Sequence, residues 1–207
     1  AKPEEIKALF RNCLLIGKRF RLAHIRFGRK IIEVSTFRSG DIESDELIVR
    51  DNKWGTAEED VLRRDFTLNG LYYDAERERV IDYVKGYPDV RKRHLRTIGL
   101  PHVRFKQDPV RMIRLVKFEA RFCLGVDAKT KQALYDCRGE LTKSSQARIF
   151  EELCRMLESK HSARFFTLMV DYGLLHIILP ELAEHLESEK GELVFDLLRT
   201  IDAEERR

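Results

Sequence analysis

The sequence predicts an α+β fold, in which a small mixed or antiparallel sheet with helices precedes an all-helical segment. β-rich runs occupy the first part of the chain, at residues 22–27, 30–37, 71–74 and 79–84. After Gly86 the apolar residues recur at helical spacing instead. This change from β-rich runs to helical spacing of the apolar residues indicates two domains, which we place at residues 1–95 and 96–207.

The first elements are a short helix, a hairpin and a loop. Residues 1–12 are predicted as a helix because Pro3 suits a first turn and two acids follow it. Gly28 and Arg29 join the first two β-rich runs, which is typical of a tight hairpin. Residues 39–56 are polar and acidic and predict a flexible loop.

Two further elements complete the predicted head before the helices begin. Residues 58–70 are predicted as a helix, since acids crowd its start and apolar residues follow at helical spacing. Residues 71–84 contain two β-rich runs and predict a second hairpin. Beyond Gly86, the apolar pattern between Val110 and Leu175 predicts several helices.

Composition excludes several classes of protein. The 207 residues are 43% hydrophobic, which is enough for a real core. No apolar run approaches the roughly 20 residues that cross a bilayer, and the first residues do not resemble an export signal. We therefore expect a cytoplasmic protein without a membrane partner. The four cysteines form no C-x-x-C pair and predict neither a zinc site nor a disulfide framework.

The distribution of charge is more informative than its sum. The net charge is only +4, from 39 Lys and Arg against 35 Asp and Glu. Basic residues nevertheless cluster at residues 11–29, 63–64, 91–96 and 104–117. Such clusters suit a polyphosphate or an RNA backbone, although the solvated faces of ordinary helices and strands would look the same.

The first candidate site residue is Glu33, which lies in an apolar β-rich run. Alternation along a strand places Glu33 on one face with Ile31 and Ser35. A carboxylate buried there needs a compensating partner, and a divalent metal ion is one. An acid on a solvent-facing strand surface is an equally good interpretation.

The second candidate is the run Arg63-Arg64-Asp65-Phe66-Thr67. Adjacent arginines offer forked donors to phosphate oxygens, and Asp65 can accept hydrogen bonds from ribose hydroxyls. The alternative is an exposed helix whose arginines pair with the acids upstream.

The third candidate is the run from Gln107 to Arg114. Pro109 fits an early helical position and Asp108 fits the N-cap, so one interpretation is a helix start with a surface arginine. In the functional interpretation, Asp108 and Arg111 lie three residues apart on one face. There they offer an acceptor and donors to the edge of a base.

Taken in order, these runs resemble the class II nucleotidyltransferases, which include bacterial poly(A) polymerases and CCA-adding enzymes. Residues 15–24 resemble a segment typical of the poly(A) polymerase branch, and residues 31–38 resemble the strand with the third catalytic acid. Residues 58–72 are similar to the ribose and phosphate motif. The similarity continues through the end of the head at residues 81–89, the E-D-x-x-R helix at 107–118 and a further neck motif at 147–152.

The resemblance implies roles for individual residues. It assigns Glu33 to metal binding and catalysis, Arg64 to the triphosphate, Asp65 to the ribose, and Asp108 with Arg111 to the base. It also implies that the nucleotide-binding residues include Arg63, Asn69, Arg114 and Arg148. With two Mg²⁺ ions, the RNA 3′-hydroxyl would attack the α-phosphate of ATP and pyrophosphate would leave. The expected partners are ATP and an RNA 3′ end.

Two features depart from the family pattern. Gln107 stands where the family usually has Glu, which affects a supporting contact. The family's glycine- and serine-bearing phosphate loop and D-x-D pair are expected before Ala1, so the chain is expected to be part of a longer protein. Asp41 and Glu43 have the D-x-D spacing but lie in the polar loop, where a solvated turn is the better interpretation.

The predicted function of the intact protein is template-independent addition of AMP from ATP to RNA 3′ ends. Addition of CCA or A to tRNA is the alternative within the enzymes, because it shares every motif from Glu33 onward. A non-catalytic RNA-binding remnant is the alternative of another class. The chain by itself is expected to be inactive, because one carboxylate cannot hold two metal ions.

Overall fold

The computed structural model confirms an α+β fold with small antiparallel sheets and a helical remainder. It describes residues 2–17, 22–40, 47 and 53–204. The chain forms two compact units, Ala1–Ile42 with Val49–Arg63, and Glu43–Ile48 with Arg64–Arg207. The second unit thus includes residues 64–95, which the sequence assigns to the head, and the predicted boundary at residues 95/96 stays a prediction.

The first unit contains a three-stranded antiparallel sheet in the order β1-β2-β3 and a two-stranded pair, β4-β5. The elements are α1 (Pro3–Leu9), β1 (Cys13–Ile16), β2 (Leu22–Phe27), β3 (Lys30–Val34), β4 (Arg38–Ser39), β5 (Lys53–Trp54) and α2 (Ala57–Leu62).

The first predicted hairpin is confirmed as β2 and β3, which pair in antiparallel register. Gly28 in the turn has a φ of 59°, a left-handed conformation that costs glycine little. The helix predicted over residues 1–12 is present but shorter. A small core beneath the sheet consists of Ile6, Cys13, Ala23 and Ile25.

The loop predicted over residues 39–56 contains a short strand pair, because Ser39 faces Lys53 in the β4-β5 ladder. The Asp41 to Glu43 segment lies outside the described residues, as do residues 18–21 of the segment resembling poly(A) polymerases.

The helix predicted over residues 58–70 ends at Leu62, so its second half was predicted wrongly. Thr56 and Glu59 form a capping box that starts α2. Beyond Leu62 the backbone pairs with a distant segment instead: Thr67 N donates to Arg96 O at 2.9 Å. A short 3₁₀ turn follows at Thr67–Asn69.

The second unit carries one hairpin and the remaining helices. The second predicted hairpin is confirmed as β6 and β7. The elements are β6 (Leu71–Asp74), β7 (Arg79–Asp82), α3 (Gly86–Lys92), β8 (His94–Leu95), α4 (Pro101–Gln107), α5 (Val110–Phe122), β9 (Gly125–Val126), α6 (Ala128–Cys137), α7 (Gln146–Leu157), α8 (Ser162–Asp171), α9 (Leu175–Ile178), α10 (Pro180–Glu187) and α11 (Gly191–Ala203).

The helical prediction after Gly86 holds, apart from one small parallel ladder between β8 and β9. Each of these strands has two residues, which is too short for a periodic signal. The core lies around α5, whose residues Met112, Ile113, Leu115 and Val116 are fully buried. This packing holds α5 in place and thereby fixes the direction of its arginines.

No helix in the described parts of the chain is long and apolar enough to cross a membrane.

Candidate functional site

Two carboxylates and three arginines meet in the second unit, and we call them the acid–arginine cluster: Asp65, Asp108, Arg111, Arg114 and Arg148. Asp65 follows the end of α2, and Asp108 separates α4 from α5. The first two arginines lie on α5 and the third on α7. All five are predicted site residues that the fold brings together.

Arg114 connects the two carboxylates. Its Nε donates to Asp65 Oδ2 at 2.7 Å, and its terminal nitrogen donates to Asp65 Oδ1 at 3.2 Å and to Asp108 Oδ2 at 2.9 Å. Burial acts to lower the pKa of Arg114, but the charges of Asp65 and Asp108 outweigh it and raise the pKa. Arg114 therefore stays protonated and holds both acids in fixed positions.

Arg111 is buried, with a side chain only 5% exposed. Its Nε lies 2.9 Å from Asp65 Oδ1 and 3.9 Å from Asp108 Oδ2. Asp108 and Arg111 therefore share one neighbourhood, as the sequence predicts. The shorter ion pair of Arg111 is with Asp65, 46 positions earlier in the numbering, which the local spacing did not indicate.

Asp108 is not the N-cap predicted from Pro109. The cap position of α5 is Pro109 itself, whereas Asp108 ends α4 with a φ of −148°. Because its carboxylate is not committed to capping, Oδ2 accepts hydrogen bonds from Arg114 and Arg148, both at 2.9 Å. Oδ1 is buried and accepts no hydrogen bond from any described residue.

The electrostatics of the cluster keep Asp108 ionised. Burial acts to raise the pKa of Asp108, but the charges and hydrogen bonds of Arg114 and Arg148 outweigh it and lower the pKa. A buried, ionised and unpaired oxygen has an unmet demand for a donor. Asp108 Oδ1 is thus the oxygen of this carboxylate that no described residue supplies with a donor.

Two residues that the sequence analysis did not select extend the cluster. Glu152 on α7 accepts a short hydrogen bond from Lys117 on α5, and its other oxygen lies 3.9 Å from Arg114. Glu152 is buried, so this pair joins α7 to α5 beneath the arginines. The available signal was their membership of the neck motif at 147–152 and the basic run at 104–117.

Arg64 and Asn69 lie together in the second unit, as their shared motif predicts. Arg64 donates to the backbone carbonyl of Asn69 at 3.0 Å, and its guanidinium lies 4.6 Å from the ring centre of Tyr72. Arg104 donates to the backbone carbonyl of Arg64 at 3.1 Å. These contacts fix the backbone immediately before Asp65.

Gln107, the departure from the family pattern, has a structural partner. Its Oε1 accepts a hydrogen bond from buried Arg104 at 2.7 Å. An amide oxygen can accept this bond as a carboxylate can, although without the charge. The substitution therefore keeps a supporting contact of the cluster.

Arg63 belongs to the first unit, where it pairs with Asp60 at 3.2 Å. This is the helix-type pairing with an upstream acid that the sequence analysis gave as the alternative. A role of Arg63 in nucleotide binding stays a prediction.

Glu33 lies on β3 of the first unit with its side chain 65% exposed, 3.2 Å from His24 on β2. The apolar burial that would demand a metal ion is therefore not present around it. Within the described ranges, no three His, Cys, Asp or Glu residues form a group that could hold a metal. The described residues therefore do not complete a magnesium site. The role of Glu33 as one metal ligand stays a prediction.

Comparison with protein families matches two parts of the chain. A model described as "Poly A polymerase head domain" matches residues 1–96, and one described as "Probable RNA and SrmB- binding site of polymerase A" matches residues 123–186. Asp65 lies in the first match and Arg148 in the second, while the arginines of α5 lie between them. The chain therefore has the nucleotidyltransferase fold.

Individual relatives agree with this assignment. Poly(A) polymerase I of Escherichia coli O6:H1 is 37% identical over 93% of the chain, and the CCA-adding enzyme of Lactobacillus helveticus is 32% identical over 84%. The chain belongs to the nucleotidyltransferase family of bacterial poly(A) polymerases and CCA-adding enzymes. It spans 43% and 44%, respectively, of the lengths of these two relatives.

A solved structure extends the comparison to three dimensions. The Bacillus stearothermophilus CCA-adding enzyme in complex with CTP superposes with a TM-score of 0.75 at 27% identity. The match covers 96% of this chain and 46% of that one. The fold is therefore shared along almost the whole chain.

Proposed function

We propose that this chain is the nucleotide-selecting part of an enzyme that adds AMP from ATP to RNA 3′ ends without a template. In that reaction the RNA 3′-oxygen forms a bond to the α-phosphate, the α–β phosphate bond breaks, and pyrophosphate leaves. The observation that carries the proposal is the cluster that brings Asp108, with one oxygen unpaired among the described residues, together with Asp65 and three arginines.

Base selection follows from the chemistry of that oxygen. Adenine and cytosine each present an amino donor beside a ring-nitrogen acceptor, whereas guanine and uracil present a carbonyl beside an N–H group. Asp108 Oδ1 accepts from the amino group, and Arg111 donates to the ring nitrogen beside it. A keto base would place its carbonyl oxygen against the carboxylate and be rejected.

Rigidity makes this selection effective. Arg114 and Arg148 hold Asp108 through its other oxygen, so the carboxylate cannot turn away from an unsuitable base. Side chains that are already held in place lose less conformational entropy when a ligand binds. They also cannot adjust to a mismatched base, so its binding is weaker. Arg114 and Arg148 thus act as positioning residues for Asp108.

The remaining parts of the nucleotide are assigned to the segment before α5. Asp65 accepts from the ribose hydroxyls and is held for this by Arg111 and Arg114. Arg64, with Asn69 beside it, donates to the triphosphate. Residues 1–95 are proposed as part of the head and residues 96–207 as the neck, in keeping with the family match to residues 1–96.

Addition of CCA to tRNA is the second candidate, and the likeness to a CTP-bound CCA-adding enzyme favours it. An acceptor and a donor suited to adenine also suit cytosine, so the cluster alone serves both reactions. Poly(A) synthesis is preferred because the poly(A) polymerase relative is 37% identical and the CCA-adding relative 32%.

Primer extension by the full-length protein tests the proposal. With Mg²⁺ and an unstructured RNA primer, ATP alone should give long tails, while CTP, GTP and UTP should give little product. Addition limited to tRNA that lacks its CCA end would establish the second candidate. Absence of any addition to either RNA would make the protein a non-catalytic RNA-binding remnant.

The 207-residue chain serves as the matched comparison in the same assay. It should leave the primer unextended, because a single predicted metal ligand, Glu33, cannot hold two ions in the required geometry. Extension by the chain itself would show that its metal ligands have been placed wrongly.

A further inference from the structure

The acid–arginine cluster does not use the basic run at residues 91–96, although this run is among the densest in the chain. It begins on α3, whose exposed face carries Arg91 and Lys92, with Lys85 exposed at the N-cap position. None of these three cations forms an ion pair with a residue that the structure describes. These three cations therefore present uncompensated positive charge.

Two exposed arginines elsewhere in the described chain are neutralised locally. Arg155 pairs with Glu151 at 2.5 Å, and Arg199 pairs with Asp196 at 2.6 Å. The corresponding acid on α3 is Asp89, which is buried and committed to Arg96 and Thr67. Among the described residues, the cations of α3 therefore lack the local acidic partner that these arginines of α7 and α11 have.

The surface continues from α3 to the end of α5. Arg93 donates a short side-chain hydrogen bond to the backbone carbonyl of Phe122, and its own carbonyl accepts from Gly125 N at 3.0 Å. These bonds place exposed Arg121 and Phe122 beside the cations of α3. Because α3 has seven residues, it is only about 10 Å long, and the charges are close together.

Aromatic rings are exposed within this surface. Phe122 is 44% exposed and stacks on Phe118 at 5.9 Å, and the guanidinium of Arg121 lies 5.2 Å from the Phe122 ring centre. Tyr87 on α3 is 51% exposed. Proteins hold single-stranded nucleic acids with cations next to exposed aromatic rings, which pair with phosphates and stack on bases.

We infer that α3 and the end of α5 form a second RNA-binding surface, made of Lys85, Arg91, Lys92, Arg93 and Arg121 with Tyr87 and Phe122, that holds a single strand away from the acid–arginine cluster. The cations neutralise successive phosphates, and the rings stack on bases without reading their sequence. An acidic protein would satisfy the charges but would not use the open rings. The inference rests on the proposed function only in its choice of RNA as the polyanion.

The salt dependence of RNA binding tests the surface. A fluorescein-labelled single-stranded oligoadenylate is titrated with the wild-type chain at several KCl concentrations, and anisotropy gives the association constant. The double variant Arg91→Gln, Lys92→Gln removes two phosphate contacts. The slope of the logarithm of the constant against the logarithm of salt should fall by about 1.4 for a single strand.

The matched control is Arg77→Gln, Arg79→Gln, which removes the same charge from two exposed arginines near Asp74. It should leave the slope unchanged. An α3 variant that retains the wild-type slope would overturn the inference, as would an equal loss in the control. If neither double variant changes RNA binding, the surface on α3 would be assigned to a protein partner instead.

The stacking part is tested separately by Phe122→Leu, with circular dichroism to confirm folding. The salt slope should stay the same while the affinity falls roughly fivefold or more, because a stacked base is lost but no charge is. If the affinity for RNA is unchanged, Phe122 does not belong to the RNA-binding surface. ATP binding, measured on the same proteins, should not change, so failure of this surface and failure of the nucleotide site are distinguishable.

Discussion

Arg114 and Asp65 form a two-pronged ion pair, with nitrogen–oxygen distances of 2.7 Å and 3.2 Å, although they lie 49 positions apart. The same guanidinium reaches Asp108 at 2.9 Å. One side chain therefore sets the separation between the acid proposed for the ribose and the acid proposed for the base.

Replacement of Arg114 by Met should destabilise the protein strongly. Asp65 would be left with Arg111 and Asp108 with Arg148 while both acids remain largely buried, and breaking a buried ion pair costs about 3 to 5 kcal/mol. Urea unfolding measures the free energy. The matched control is Arg148→Gln, because Arg148 donates to Asp108 at the same 2.9 Å but is 50% exposed, so its loss should cost at most about 1 kcal/mol. Equal costs for the two variants would contradict the bridging role.

Arg111→Ala should reduce ATP incorporation by the full-length protein roughly ten- to a hundredfold, since a hydrogen bond to a charged group contributes about 1.5 to 3 kcal/mol. The preference for ATP should narrow as well. Helix α5 should persist, because alanine favours helices and the apolar core positions are unchanged. Steady-state incorporation of all four nucleotides, with circular dichroism, measures this. A folded variant with unaltered rate and preference would leave Arg111 only a structural role.

Glu33→Ala in the full-length protein should lower the rate of the chemical step far more than the affinity for ATP. Its predicted role is to place a metal ion in the transition state, and such interactions affect turnover rather than ground-state binding. Single-turnover kinetics with a nucleotide titration separate the two quantities. Normal turnover would leave Glu33 as the exposed partner of His24 that β3 presents.

The stability contribution of Asp108 should depend on pH in a defined direction. The folded-state pKa lies below the ordinary value, so the contribution is complete above that value of about 3.9 and disappears as the pH falls through the folded-state pKa. The difference in unfolding free energy between wild type and Asp108→Asn should therefore shrink from pH 7 towards pH 3. Urea unfolding at each pH measures it, and a difference independent of pH would show that Asp108 is not held ionised by Arg114 and Arg148.

The parts of the fold that depend on local sequence were predictable. The turn at Gly28 and the apolar alternation beside it are enough to place β2 and β3. Residues 63–70 were not predictable in this way, because their helical pattern is overridden by pairing with residues 96–98. Apolar spacing cannot reveal such a distant partner.

The fold brings several of the candidate residues together, but the sequence did not predict how they pair. Asp108 and Arg111 were chosen for their spacing, yet Arg111 Nε lies closer to Asp65, at 2.9 Å, than to Asp108, at 3.9 Å. In one of the two interpretations Asp108 caps α5, but Pro109 takes that position and leaves the carboxylate for arginines. Glu152 and Lys117 each lie in a run that the sequence analysis named, but their contact joins positions 35 apart and carries no local signal.

Equilibrium binding of the four nucleoside triphosphates to the 207-residue chain tests the central claim most directly, with Asp108→Asn as the variant and the exposed Asp171→Asn as its matched control. Wild type and control should bind ATP and CTP more tightly than GTP and UTP. In Asp108→Asn an amide can turn its donor outward, so binding of ATP should fall roughly tenfold or more while binding of UTP should not. If Asp108→Asn remains folded and keeps the wild-type order of nucleotide affinities, the acid–arginine cluster does not read the base.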